Sequence, residues 1–293
     1  EACRLCVDAA TSAQVVVVAS AMAGVTNALL AAAAATGRRD LSAGLHGIAA
    51  IRAKHHEAIS ALLLPDAKEV RAECDALLDE CEILLRAAAV AGVVGPRALD
   101  RIQASGEKMA VRMVAARLRA SGVRATAMDA DRFLDTDGVF GEATPLEGLY
   151  ERTTKVALRT VLDAGGIPVV TGFCGQAPDG STTTLGRGGS DYSATLVAAA
   201  IGADEVIIWT DVAGVFTADP RIVDGARVIK QLNYREAGEL AFYGAKVLHP
   251  RTLKPVAGRG IPVAIKDSFN PREPGTRIDG SFTLGSHPVT GIT

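Results

Sequence analysis

The chain has 293 residues, of which 48% are hydrophobic and 22% are charged, and its net charge is −2 at pH 7. Such a composition is typical of a soluble globular protein, and the length accommodates one large domain or two small ones. The near-neutral charge argues against a nucleic-acid or membrane-surface role, and apolar stretches such as Leu29–Ala35 are too short to span a bilayer. The five cysteines indicate reduced, cytosolic thiols. Cys3 and Cys6 form a C-x-x-C that could be redox-active or half of a zinc site, but no second pair and no suitable histidine follows.

The first half of the chain predicts one strand followed mainly by helices. Val15–Val18 is a β-branched run that passes through small residues into a helical pattern from Val25, as in a βα unit with a buried parallel strand. Residues 41–91 predict two antiparallel helices separated at Pro65-Asp66. Residues 97–122 predict two helical stretches separated by a break at Ser105-Gly106-Glu107. A short strand is predicted within 123–130.

The second half alternates strands with helices more regularly. This alternation favours a mostly parallel sheet with helices on both of its faces. The predicted elements are a helix over 147–164, a strand over 167–173, a helix over 191–202, a buried strand over 205–212, a helical segment over 234–257, a strand over 260–268 and the start of a strand within 285–293.

A glycine-rich loop precedes the helix predicted from residue 191, in the stretch TTTLGRGGSDYSATLVAAA. Gly186–Gly189 lets the backbone approach a ligand, and Ser190 or Asp191 is a suitable N-cap for a helix whose positive end favours an anion. Arg187 offers a planar fork for a carboxylate or phosphate. The pattern indicates an anion site with one carboxylate in reach; the structural alternative is a glycine turn with a surface Arg187–Asp191 pair.

Two later clusters carry further polar groups. In TDVAGVFTADPR, Thr210 and Asp211 end a predicted strand, and ligands bind at that edge of an α/β sheet. Phe216 is a candidate for stacking on a base or for simple packing, and Arg221 supplies another cation. In FYGAKVLHP, Lys246 is either a phosphate contact or a solvated lysine. The chain has neither the common P-loop pattern nor the protein-kinase motifs.

Taken together, LGRGGSDYSA, WTDVAGVFTADPR and FYGAKVLHPRTL closely resemble the aspartokinases of the amino-acid kinase family. The resemblance extends to VVVVASAMAGVTN, SGEKM, VVTGFCG and IPVAIKDSFNPREPGTRI, and so covers nearly the whole chain. It implies an α/β fold, a three-layer αβα sandwich around a mostly parallel sheet with a helical insertion near residues 38–95. It also implies ATP-dependent phosphorylation of the side-chain carboxylate of L-aspartate, the entry step to lysine, threonine and methionine.

The resemblance assigns roles to individual positions. Arg187 is expected to clamp a carboxylate of aspartate, Glu107 to meet its ammonium group, and Asp191 to organise the site without abstracting a proton. The other substrate-side positions implied are Ser20, Thr26, Phe173 and Ser190. The nucleotide-side positions implied are Thr210, Asp211, Phe216, Arg221, Lys246 and Val247, with Lys246 also catalytic. Mg²⁺ is expected through the nucleotide phosphates, with no dedicated protein ligand.

Further expectations concern the whole protein. Nothing before Val15 matches the Lys-Phe-Gly-Gly-Thr-Ser loop of the family, whose lysine contacts phosphates. Residues 1–280 are expected to form the catalytic domain and 281–293 to lead towards ACT domains, without which lysine or threonine should not inhibit. A cytoplasmic homodimer is implied, binding neither nucleic acid nor membrane. The alternatives are a kinase for another small amino acid, N-acetylglutamate or a nucleotide, and an incomplete nucleotide-binding fragment.

Overall fold

The chain divides at Gly186–Arg187 into two compact units. The computed structural model describes residues 1–243 and 248–281. The N-terminal unit comprises Cys3–Gly186, and the C-terminal unit runs from Arg187 and includes Glu1–Ala2. The strand predicted within 285–293 and most of the segment predicted as a linker lie outside the described residues.

Helices dominate the N-terminal unit, and their ends follow local signals. The Asp40 carboxylate caps the third helix by accepting from the Ala43 amide at 2.9 Å, and Pro96 begins the fifth, where a missing N–H costs nothing. The elements are α1 (Ala2–Ala10), β1 (Val17–Ala19), α2 (Val25–Gly37), α3 (Leu41–Ala61), α4 (Ala67–Ala91), α5 (Pro96–Ala120), β2 (Ala125–Met128), a 3-10 turn (Ala130–Arg132), α6 (Leu149–Leu162), β3 (Ile167–Thr171), β4 (Cys174–Gln176) and β5 (Thr182–Thr184).

A parallel sheet of order β1-β3-β2 lies at the centre of this unit, with β4 and β5 paired as an antiparallel hairpin. All five residues of β3 are buried, so helices or loops cover both faces of the sheet, as predicted for parallel strands. Ile167 and Val169 share one apolar cluster with Val111 and Leu118 of α5. Each such side chain stabilises the fold by about 1.5–3 kcal/mol when fully buried.

The helical insertion is confirmed as the α3–α4 hairpin, and the break predicted at Pro65-Asp66 falls between the two helices. Its inner faces bury Ile48 and Ile59 from α3 and Leu78 and Leu85 from α4, none of them measurably exposed. These residues share one apolar cluster with residues of α2 and α5, so the apolar stripe of the hairpin is buried against other helices.

The break predicted at Ser105-Gly106-Glu107 is wrong, because α5 runs unbroken from Pro96 to Ala120. Gly106 faces the turn after β1, and a Cβ there would lie 2.9 Å from the Cβ of Ala21. The Ser105 hydroxyl donates to the Arg101 carbonyl one turn earlier. Gly106 therefore permits close packing within a helix, and tertiary contacts outweigh its low helix propensity.

The C-terminal unit contains a second sheet, of order β6-β8-β9-β7. The pairs β6–β8 and β7–β9 are parallel and β8–β9 is antiparallel. Its elements are α7 (Gly189–Ile201), β6 (Val206–Thr210), β7 (Gln231–Asn233), α8 (Tyr234–Tyr243), a 3-10 turn (Pro250–Leu253), α9 (Lys254–Ala257), β8 (Val263–Asp267) and β9 (Thr276–Asp279).

One prediction for this unit needs correction. The strand β6 is not fully buried, because Ile207 and Trp209 are 42% and 37% exposed while Val206 and Ile208 pack in the core. The segment predicted as mostly helical over 234–257 contains α8, the 3-10 turn and α9, while residues 244–247 within it lie outside the described residues. In addition, β4, β5, β7 and β9 were not predicted, because three or four residues carry little periodicity. Across the two described ranges, no helix combines the length and apolarity needed to cross a membrane.

Candidate functional site

Glu107 is a carboxyl group buried within the N-terminal unit. Its side chain projects from the middle of α5 and is only 3% exposed. Oε1 accepts a hydrogen bond of 3.3 Å from the Ala21 amide, whereas Oε2 has no hydrogen-bond partner among the described residues. Burial raises the pKa of Glu107 to about 7, because the charged form loses its hydration. A buried acid with an unused oxygen is suited to receiving a cationic ligand group.

The turn between β1 and α2 lies against this part of α5. Ser20 is exposed and Thr26, in the first turn of α2, is half-buried. Gly24 begins the helix with a φ of 80°, a conformation that glycine adopts without strain. Ser20 directly precedes Ala21, whose amide donates to Glu107, so the start of this turn lies beside the buried acid.

Phe173 has a strained backbone, with a φ of 65° at the connection between β3 and β4. Left-handed conformations are uncommon for bulky residues and are concentrated at functional sites. Its carbonyl accepts from the Leu185 amide at 2.8 Å, which ties this connection to the chain segment just before Gly186. The following thiol, Cys174, is fully buried and interacts electrostatically with Glu107. Phe173 is thus held near the buried acid.

The glycine-rich loop leads into α7 in the C-terminal unit. Gly188 is the N-cap, with a φ of 70° and no side-chain capping bond, so the prediction that Ser190 or Asp191 caps this helix is wrong. Because glycine already turns the chain into the helix, both polar side chains follow in its first turn and are half-buried. The uncapped N-terminus keeps backbone N–H groups available to an anion.

Arg187 and Asp191 do not pair within the described part of the chain, which removes the alternative of a surface ion pair. Arg187 is exposed, and its guanidinium has no hydrogen-bond or ion-pair partner over residues 1–243 and 248–281. Burial raises the pKa of Asp191 above its ordinary value. The loop therefore presents, at the positive end of a helix, a cation that no other described residue pairs with.

Two of the predicted nucleotide-side residues, Thr210 and Asp211, lie at the carboxyl end of β6. The Thr210 hydroxyl donates to Asp211 at 3.2 Å, and the Thr210 carbonyl accepts from the Ser268 amide at 2.8 Å. Phe216 forms an isolated antiparallel β-bridge with Val228, outside the named strands, and is half-buried. This edge is the place where open α/β sheets bind ligands.

Arg221 is not a free cation. Its Nε and a terminal nitrogen donate to the two carboxylate oxygens of Asp219 at 3.0 and 2.7 Å. A phosphate would have to compete with this bidentate pair. Lys246 and Val247 lie outside the described residues. No group of three or more His, Cys, Asp or Glu side chains suited to a metal ion occurs in the described ranges.

Two buried carboxylates near the site were not predicted, Asp100 and Asp131. Asp100 binds Gly141 and Thr184, and Asp131 pairs with Lys108. Asp100 precedes Glu107 by seven residues, so both lie on one face of α5, and this spacing could have drawn attention to it. No sequence signal marks Asp131 as buried.

Comparison with known proteins identifies relatives over most of the chain. A model of the amino acid kinase family matches residues 1–267. Lysine-sensitive aspartokinase 3 of Escherichia coli is 38% identical over 264 residues, covering 89% of this chain and 57% of the relative. Chloroplastic aspartokinase 3 of Arabidopsis thaliana is 37% identical over 282 residues, covering 94% and 49% respectively. The chain therefore spans about half the length of these curated relatives.

Solved structures that resemble this chain come from the same group of proteins as the relatives found by sequence. Escherichia coli aspartokinase III in complex with aspartate and ADP superposes with a TM-score of 0.87 at 35% identity, covering 96% of this chain and 61% of that one. Aspartate kinase of Clostridium acetobutylicum gives a TM-score of 0.72 at 26% identity, over 91% of this chain and 55% of that one. These structures confirm the predicted fold class, an αβα sandwich with a mostly parallel sheet. The chain belongs to the amino acid kinase family.

Proposed function

We propose that this chain is the catalytic part of an aspartokinase, which transfers the γ-phosphoryl group of MgATP to the side-chain carboxylate of L-aspartate. The observation that carries the proposal is Glu107 Oε2, a buried carboxyl oxygen for which the described residues offer no partner. An amino-acid substrate supplies the ammonium group that such an oxygen needs. The relative that superposes at a TM-score of 0.87 holds aspartate and ADP, which supports the same substrates.

Aspartate carries two carboxylates and one ammonium group, so its recognition requires fixed charges of both signs. In the proposed complex, Glu107 binds the ammonium group and Arg187 binds a carboxylate. The N-terminus of α7 adds backbone N–H groups for negative charge. Ser20, Thr26 and Phe173 line the substrate pocket, and Ser190 and Asp191 organise it next to Arg187.

The reaction requires alignment and charge neutralisation more than covalent help from the protein. The attacking carboxylate is already ionised at neutral pH, so no side chain has to remove a proton from it. Thr210, Asp211 and Phe216 are proposed to contact the nucleotide, and Arg221 can do so after exchanging Asp219 for phosphate. Lys246 and Val247 belong to the same proposal on the resemblance alone. The cytoplasmic location, the homodimer and the assignment of residues 1–280 to the catalytic domain are likewise proposed on the resemblance alone.

Trapping of the acyl phosphate tests this proposal. The protein, MgATP and L-aspartate are incubated with hydroxylamine, and aspartyl hydroxamate is measured. Arg187→Ala should lower kcat/KM at least about a hundredfold, because a charge-assisted contact between the guanidinium and the substrate carboxylate contributes about 2–3 kcal/mol. Arg152→Ala, at an exposed arginine of α6, is the matched control and should retain activity.

The choice of substrate separates the competing functions. N-Acetyl-L-aspartate, L-glutamate and UMP are supplied in place of L-aspartate, with ADP release as the readout. The acetylated compound lacks the ammonium group, so it should not react. Turnover of one of these compounds in preference to L-aspartate, or nucleotide binding without any turnover, contradicts the proposal.

A further inference from the structure

Strand β5 presents three buried threonines whose side chains alternate between its two faces. Thr182, Thr183 and Thr184 are each at most 4% exposed. The first and third share one face, because side chains alternate along a strand. On that face, each hydroxyl donates to a buried carboxylate from elsewhere in the N-terminal unit.

Asp100 holds the end of β5. Its Oδ2 accepts from the backbone amides of Thr184 and Gly141, both at 2.8 Å, and its Oδ1 accepts from the Thr184 hydroxyl at 3.0 Å. Asp100 is 1% exposed and belongs to α5, the helix that carries Glu107 two turns later. These three hydrogen bonds offset part of the hydration that Asp100 loses, although burial still raises the pKa of Asp100 above its ordinary value.

Asp131 holds the start of β5. Its Oδ2 accepts from the Thr182 hydroxyl at 2.5 Å and from the Lys108 ammonium at 2.6 Å. Lys108 follows Glu107 directly in α5, and the side chains of Lys108 and Asp131 are 10% and 4% exposed. A second buried connection therefore joins α5 to β5 at the level of Glu107.

The middle residue provides an internal comparison. Thr183 is fully buried, but its hydroxyl lies 2.9 Å from the hydroxyl of Thr136, away from α5. Thr136 also donates to the Gln176 carbonyl, so it keeps a partner if Thr183 is changed. Thr183 thus matches its neighbours in residue type and burial but not in its connection to the helix.

The two carboxylates fix the segment that leads into the glycine-rich loop. Two residues after Thr184 comes Gly186, where a Cβ would lie 3.2 Å from the Glu142 side chain and 3.3 Å from the Gly141 carbonyl. Gly141 is the second residue held by Asp100. Arg187 follows Gly186 in the chain.

We propose that Asp100 and Asp131 are positioning residues, which hold β5 and Gly186 in a fixed register against α5 through Thr184 and Thr182. This inference rests on the proposed function, because its consequence is the placement of the aspartate-binding residues that α5 carries and that follow β5. Loss of either connection should weaken aspartate binding while leaving ATP binding intact. Small displacements of positioning groups are known to lower catalytic efficiency strongly.

The test uses isosteric variants that remove one hydroxyl each. Thr182→Val and Thr184→Val remove the donors to Asp131 and Asp100, and Thr183→Val is the matched control. For Thr182→Val and Thr184→Val we expect the KM for L-aspartate to rise at least about fivefold, with the KM for ATP unchanged. Thr182→Ser and Thr184→Ser, which restore the hydroxyl, should recover most of the loss.

Hydrogen–deuterium exchange of the same variants provides a readout that does not depend on activity. Amides of residues 182–186 should exchange faster in Thr182→Val and Thr184→Val than in Thr183→Val, while α4 stays unchanged. An active protein in which all three valine variants share one aspartate KM, or in which exchange rises equally everywhere, overturns the positioning role. A protein that neither binds nor phosphorylates L-aspartate overturns the proposed function instead, and the exchange pattern then decides whether Asp100 and Asp131 hold β5.

Discussion

Glu107 owes its chemical character to its surroundings. It is buried on a helix, accepts one backbone N–H at 3.3 Å, and has a pKa of about 7 because burial disfavours its charged form. Two ionisable residues that adjoin or interact with Glu107 do not offset this effect. Lys108 is paired with Asp131, and burial raises the pKa of the Cys174 thiol well above its ordinary range, so that this thiol stays neutral. The group is therefore poised to lose its proton when a cation binds.

Aspartate affinity should consequently rise with pH near neutrality. The fraction of ionised Glu107 increases about tenfold between pH 6 and pH 8 for a group with a pKa of about 7, and only the ionised form attracts the substrate ammonium. We expect the KM for L-aspartate to fall about tenfold over this range. Initial rates at saturating MgATP, measured with varied aspartate, provide the check.

Glu107→Gln is the matched variant for this measurement. It cannot ionise, so its aspartate KM should be high and nearly independent of pH. The KM for ATP serves as the internal control and should stay flat in both proteins. A parent KM for aspartate that is constant or increases with pH contradicts the assigned role of Glu107.

Helix α7 shows how an element places functional groups. Its two ends are both glycines in left-handed conformations, Gly188 with φ 70° and Gly202 with φ 67°. The surroundings differ, however. A Cβ at Gly188 would lie 2.7 Å from the Cβ of His249, whereas nothing lies within 4 Å of a Cβ at Gly202. The first glycine therefore permits both a turn and a close contact, and the second permits only a turn.

Substitution of the two glycines by alanine should separate these effects. Gly202→Ala should destabilise the protein by about 1 kcal/mol, the cost of a left-handed alanine. Gly188→Ala should cost about 2–4 kcal/mol, because overlap with His249 is added, and it should also raise the KM for aspartate. Urea unfolding and steady-state kinetics measure the two quantities. Equal stability losses in both variants would show that the His249 contact relaxes freely.

Helix α5 illustrates the limit of local rules at the scale of an element. Ser105 and Gly106 together are a reasonable signal for a break, yet the helix continues through them. The missing side chain of Gly106 lets α5 approach Ala21, and that approach brings the Ala21 amide to Glu107. The residue that weakens the helix locally is the one that allows the buried acid to form its hydrogen bond.

At the scale of the whole molecule, the buried ion pair of Lys108 and Asp131 connects distant parts of the chain. The two residues are 23 positions apart, and Thr182, which joins the same carboxylate, is another 51 positions beyond Asp131. Such a pair contributes little compared with an apolar replacement, but removal of one partner leaves a charge buried without compensation.

Lys108→Met should therefore destabilise the protein by about 3–5 kcal/mol. The double variant Lys108→Met/Asp131→Asn should recover most of this loss, because the asparagine is neutral and still accepts from Thr182. Lys155→Met, at an exposed lysine of α6, controls for the loss of a positive charge and should change stability by less than about 0.5 kcal/mol. Urea unfolding followed by circular dichroism tests the set, and a double variant no more stable than Lys108→Met contradicts the interpretation.

The sequence alone determined the alternation of strands and helices, the helical hairpin and the glycine-rich entry to α7. These features depend on periodicity and on glycine and proline positions, which act over a few residues. Its motifs were also sufficient to suggest Glu107 and Arg187 as groups of opposite charge. Short strands such as β5 and β7 escaped prediction, because their pairing partners lie elsewhere in the chain.

Only the tertiary structure decided which polar groups are buried and which are already occupied. Ala21 meets Glu107 across 86 positions, and Asp100 meets Thr184 across 84. The structure pairs Arg221 with Asp219 but leaves Arg187 without a partner in the described ranges, although both are arginines in loops. Desolvation and hydrogen bonding depend on neighbours brought together by folding, and for that reason no local pattern could assign the charge state of Glu107 or the buried carboxylates that hold β5.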